Sequence, residues 1–68
     1  MLFKSKLAEA VVKHFESELA IAEAELANYF ENPAAIGEHG CLVKEVVSRI
    51  KLIEENASCL ERAKSLTP

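Results

Sequence analysis

Asn32-Pro33-Ala34-Ala35-Ile36-Gly37-Glu38-His39-Gly40 breaks an otherwise continuous helical pattern, and it holds both glycines of the chain and the first of its two prolines. Pro33 disfavours αR geometry at Asn32, and Gly37 and Gly40 lower helix propensity further. On either side lie amphipathic segments, about 5–31 and about 41–66, with no Gly or Pro inside them. The reading is an all-α chain, one domain over 1–68, with helix, connector 32–40 and helix folded as an antiparallel hairpin. Within the connector, Asn32 can cap a short turn that begins at Pro33, and Gly37 can close it with positive φ. Ile36 then tucks beneath the hairpin, and His39 or Gly40 precedes the second helix.

In the second segment Val43, Val46, Ile50, Ile53, Ala57 and Leu60 recur at intervals of three and four, one seam widened by Leu42, Leu52, Cys59, Ala63 and Leu66. Opposite them Lys44, Ser48, Lys51, Glu55, Ser58, Arg62 and Ser65 form a solvated face, and Glu45 and Arg49 have the spacing of an i,i+4 ion pair. The first segment carries two stripes. The stronger runs Ala8, Val12, Phe15, Leu19, Ala22, Leu26, Tyr29; the weaker runs Phe3, Leu7, Ala10, His14, Ser17, Ile21, Ala24, Asn28. One partner helix can cover only one of them. The weaker stripe, with Ala20 and Ala27 beside it, is either a second contact surface or an exposed face on which Ala serves as a good helix former.

Charge favours the antiparallel arrangement. Glu18, Glu23, Glu25 and Glu31 occupy the later half of the first segment without a base, while Lys44, Arg49 and Lys51 stand early in the second. A hairpin brings those halves together, and Lys4, Lys6 and Lys13 approach Glu54, Glu55 and Glu61. Exposed pairs contribute about 0–1 kcal/mol each, so they select orientation more than they create stability.

The net charge of −3 argues against nucleic acid, since no cluster of Lys and Arg is present to displace counterions from phosphates. Glu9, Lys13 and Glu16 interrupt any apolar run after the N-terminus, and no stretch has the length and apolarity of a membrane span. Leu2, Phe3, Leu7 and Val11 with Lys4, Lys6 and Lys13 have the composition of a membrane-surface segment, but the acidic remainder of the helix opposes it. A cytoplasmic protein is expected, in which the Asn56-Ala57-Ser58 sequon stays idle.

The stretch Tyr29-Phe30-Glu31-Asn32-Pro33-Ala34-Ala35-Ile36-Gly37-Glu38-His39 resembles small uncharacterised two-helix proteins of marine tailed phages, in which an aromatic-x-x-Asn-Pro-x-x-Ile-Gly-Glu-His connector joins the helices. The resemblance covers about a sixth of the chain by motif. It implies a phage-like source and a two-helix fold, and no activity. Those relatives tend to carry a Pro after the His, where this chain has Gly40, a departure that bears on where the second helix starts.

Chemistry is sparse. Glu38, His39 and Cys41 are three potential zinc ligands, but a structural site needs a fourth, and His14 lies far away along the first helix. A symmetric partner could supply ligands across a dimer axis; within one chain no metal, cofactor or catalytic site is expected. Acid–base carboxylates require a pocket that separates their pKa values, and a hairpin this small encloses little volume. The expected protein is a non-enzymatic structural or interaction module that meets itself or a larger protein. The alternative is a small regulator of a nucleic-acid-associated protein, or of nucleic acid after dimerisation. A two-helix core is thin at 68 residues, so an antiparallel four-helix bundle of two copies is expected. Its interface is read as Leu7, Ala10, Ile21 and Ala24 on the first helix with Leu52, Cys59 and Leu66 on the second.

Cys41 and Cys59 fall in one predicted helix, about 27 Å apart at 1.5 Å rise per residue, well beyond the span of a disulfide of about 7 Å. Reductant is therefore expected to leave the thermal midpoint unchanged; a fall on reduction would reveal an intermolecular bridge.

Overall fold

The computed structural model describes residues 2–32 and 41–66, with side chains on the first helix from Lys6 onward. Pro33, Ile36, Gly37, Glu38, His39 and Gly40 of the connector, the Phe3 side chain, and Thr67 and Pro68 lie outside the described residues. Two helices pack against each other as an antiparallel hairpin: α1, Leu2–Glu31, and α2, Leu42–Ser65. The shape is a rod of 52 × 16 × 15 Å.

α1 starts three residues earlier than the pattern indicated, because Leu2, Phe3 and Lys4 all tolerate helix and nothing there breaks it. Its end agrees with the reading at Glu31, and the Asn32 amide still bonds the Asn28 carbonyl at 2.7 Å. α2 is one residue shorter at each end than expected. Cys41 is its N-cap in extended geometry, without a side-chain cap bond, and its carbonyl accepts the Glu45 amide at 3.0 Å. Leu66 forms the C-cap, its amide shared between the Arg62 and Ala63 carbonyls at 3.1 and 3.2 Å. Glu45 in the first turn of α2 and Arg62 and Lys64 in the last complement the helix dipole, whereas α1 has no base in its last turn.

The face that α1 presents to α2 is the stronger stripe. Ala22 is 2% exposed, and Ala8, Val12, Phe15, Leu19, Leu26 and Tyr29 are half-buried. The described members of the weaker stripe, Leu7, Ala10, His14, Ser17, Ile21, Ala24 and Asn28, are exposed.

On α2 the contact agrees with the sequence reading in most of its members: Val46, Ile53, Ala57 and Leu60 of the expected seam are half-buried, and Ala63 beside it is buried. Val43 and Ile50, two members of the expected seam, are 70% and 45% exposed. Between two half-buried flanks runs the row Arg49, Asn56 and Ala63, with Ala63 buried and the other two half-buried. Val46, Ile53 and Leu60 lie half-buried on one flank of that row; Glu45, Leu52 and Cys59 lie half-buried on the other. The small Ala22 and Ala63 side chains permit close helix approach, and the Arg49 guanidinium finds a carboxylate on α1, so the row of Arg49, Asn56 and Ala63 can sit at the contact beside Val46, Ile53 and Leu60. The solvated face from Lys44 to Ser65 is exposed as read.

Among the described residues only Ala22 and Ala63 are buried apolar side chains, and no large side chain is fully enclosed. Ala22→Leu should therefore lower stability by about 1–3 kcal/mol by overpacking the contact line. The same change at exposed Ala24 should stay within about 0.5 kcal/mol, both read by urea denaturation.

Candidate functional site

Among the described residues one ion pair joins the helices. Arg49 Nη1 donates to Glu25 Oε1 at 2.7 Å, with the two side chains 23% and 44% exposed. Arg49 thus reaches across to α1 rather than along its own helix to Glu45, which corrects the i,i+4 pair read from spacing. The exposure of Glu25 limits the Coulombic gain to about 0–1 kcal/mol. Arg49 Nε is buried without a hydrogen-bond partner, the kind of orphan that costs about 1–3 kcal/mol. The pair therefore specifies an arrangement more than it stabilises one.

A groove of about 370 Å³ opens beside this pair, lined by His14, Glu18, Ile21 and Glu25 from α1 and Arg49, Leu52, Glu55 and Asn56 from α2. The helical periodicity of α1 puts His14, Glu18, Ile21 and Glu25 along one side of its contact face. Asn56, of the Asn56-Ala57-Ser58 sequon, lies mid-helix and bonds locally, Nδ2 donating to the Leu52 carbonyl at 2.8 Å. The His14 ring stands edge-on to Phe15, with centroids 5.1 Å apart. Three carboxylates, one imidazole and one guanidinium make the groove acidic, and it is open to solvent along its length.

Of the residues read as an interface, Ile21 and Leu52 meet in this groove. Leu7 and Leu66 are 61% and 73% exposed, Ala10 and Ala24 are exposed, and Cys59 is half-buried. The remaining exposed large apolar groups among the described residues are Val11 and Phe30 on α1, with Leu42, Val43, Val47 and Ile50 on α2. Nothing in the periodicity of α2 singled out Arg49 or Asn56 for the contact line; their signal was the seven-residue spacing of Arg49, Asn56 and Ala63, masked by more apolar neighbours. Both thiols are free, Cys41 exposed and Cys59 half-buried. Of the candidate ligands Glu38, His39 and Cys41, only Cys41 is among the described residues, where no group of three metal-binding side chains occurs. Among the same residues no helix is long and apolar enough to cross a membrane.

Fold and groove together define a class, a two-helix antiparallel hairpin with an acidic open groove and unpartnered apolar flanks. No family model matches the chain, and no curated protein or solved structure matches it.

The ion pair yields a clear expectation. Glu25→Gln leaves a half-buried guanidinium without a counter-charge and should cost about 1 kcal/mol. Arg49→Met removes pair and orphan together and should be neutral or slightly stabilising, because an apolar replacement carries no desolvation cost. Urea denaturation at low salt, with a double-mutant cycle, measures both.

Proposed function

We propose that this chain is a small non-enzymatic protein-interaction module of the cytoplasm that works as a homodimer, two hairpins forming a four-helix bundle. One observation carries the reading. A folded monomer of 7.5 kDa exposes roughly 4,200 Å² by surface-to-mass scaling, whereas this chain exposes 5225 Å². The excess of roughly 1,000 Å² is on the scale of the ~800 Å² that each partner buries in a standard protein interface. A rod with two buried alanines lacks the interior to offset the entropy of ordering two helices, and a second copy supplies the missing burial without lengthening the chain.

A non-enzymatic role is supported by the same geometry. The groove is open and polar, and a catalytic pocket needs walls that exclude water and set carboxylates apart in pKa.

Light scattering should give the mass of a dimer, and the thermal midpoint should rise with protein concentration across about a hundredfold range. A monomer that melts sharply at a concentration-independent temperature would overturn this reading.

A further inference from the structure

The two long flanks of the hairpin differ in a way that selects between them. On the groove flank the inner positions of α1 are Val11, Glu18 and Glu25, two of them acidic, and the outer ones are Leu7, His14, Ile21 and Asn28, all exposed, a mixture of apolar and polar groups. On the opposite flank the inner positions are Val12 with Leu60, Leu19 with Ile53 and Leu26 with Val46. Seven residues forward on α1 match seven back on α2, every level is apolar, and all six side chains are half-buried. That is the heptad spacing of bundle cores.

Resting on the homodimer reading, we propose that this opposite flank, the ladder from Val12/Leu60 to Leu26/Val46, is the surface on which a second copy seats, with the two-fold axis parallel to the helices. The outer positions of the same flank add one charge pair and one apolar pair. They run Glu9, Glu16, Glu23, Phe30 on α1 and Lys64, Ala57, Ile50, Val43 at the corresponding levels of α2. A two-fold parallel to the helices lays each α1 on the α2 of the other copy at the same level. Phe30 and Val43, at 67% and 70% exposure, then cover each other, and Glu9 meets Lys64. No acidic residue meets another within these outer rows. An axis perpendicular to the helices through the Leu19/Ile53 level would set Glu16 against Glu23 of the copy, a like-charge contact. Either axis leaves every neighbouring pair of helices antiparallel, so the charge pattern and not the helix dipoles chooses between them. The occupant is a second copy because the excess surface matches one such interface and because the ladder maps onto itself under the two-fold. The self-association face thereby moves to the flank opposite Leu7, Ile21, Leu52 and Leu66.

Sedimentation equilibrium tests the face. Ile50→Glu should weaken dimerisation by at least about tenfold, since it removes an apolar side chain from the contact and sets a like charge against Glu23 of the copy. Ile21→Glu and Leu7→Glu should change it by less than about threefold. Loss of the dimer with Ile21→Glu but not with Ile50→Glu would overturn the assignment while leaving self-association intact. A parent chain that is monomeric throughout would instead remove the homodimer reading itself. Cross-linking tests the axis and does not depend on a destabilised variant. In a Cys41→Ser, Cys59→Ser background, a chain carrying Glu23→Cys is mixed with one carrying Ile50→Cys and oxidised. A disulfide-linked heterodimer is expected to dominate over either linked homodimer. Efficient linking of the Glu23→Cys chain to itself, or no linked heterodimer in a mixture that remains dimeric, would overturn the parallel axis.

Discussion

A guanidinium sits in the line of contact between two helices, and the rest of the structure follows from that placement. Arg49 cannot enter the seam without a carboxylate to meet it, and Glu25 supplies one at 2.7 Å. The pair sets both the rotation of α2 about its own axis and the level at which it lies along α1. Its net energy is small, because Glu25 remains 44% exposed and Arg49 Nε has no partner. A weak contact can still choose among near-equal packings, and two helices with several apolar lines between them offer many.

The rotation has a price in exposed apolar surface. With Arg49, Asn56 and Ala63 facing α1, the line of Val43 and Ile50 is turned to the flank on the side of Leu19, Leu26 and Phe30 of α1, while Val46, Ile53, Ala57 and Leu60 of the same seam stay half-buried. An isolated hairpin would gain by rolling that line inward. Its position at the side suits an assembly in which each helix touches two neighbours instead of one, as in a four-helix bundle, where contact faces are broader than a single seam. The contact line and the flank therefore serve different partners: α1 within the chain, and on our proposal a second copy.

The groove on the other flank has a different character. Its apolar levels at Ile21 and Leu52 are separated by His14, Glu18, Glu25, Glu55 and Asn56, and burying these would require a partner with matched polar groups at several positions. Solvation suits this flank as it stands.

The sequence by itself determined the two helices, their approximate ends and their antiparallel pairing. The breakers at Pro33, Gly37 and Gly40 admit only one interruption, and Ala8 to Tyr29 is the single stripe of α1 with both apolar bulk and helical spacing. The solvated face of α2 was legible for the same reason, since charged side chains lose hydration wherever they are buried. Which line of α2 touches α1 was decided only by the tertiary structure. The seam read from periodicity includes Val46, Ile53, Ala57 and Leu60, which are half-buried, and Val43 and Ile50, which are not. Contact depends also on how closely two backbones can approach and on what a facing residue can offer. Ala22 and Ala63 provide the close approach, and Glu25 provides the counter-charge that admits Arg49. Both are properties of residues from different helices taken together, and a pattern read along one helix does not contain them.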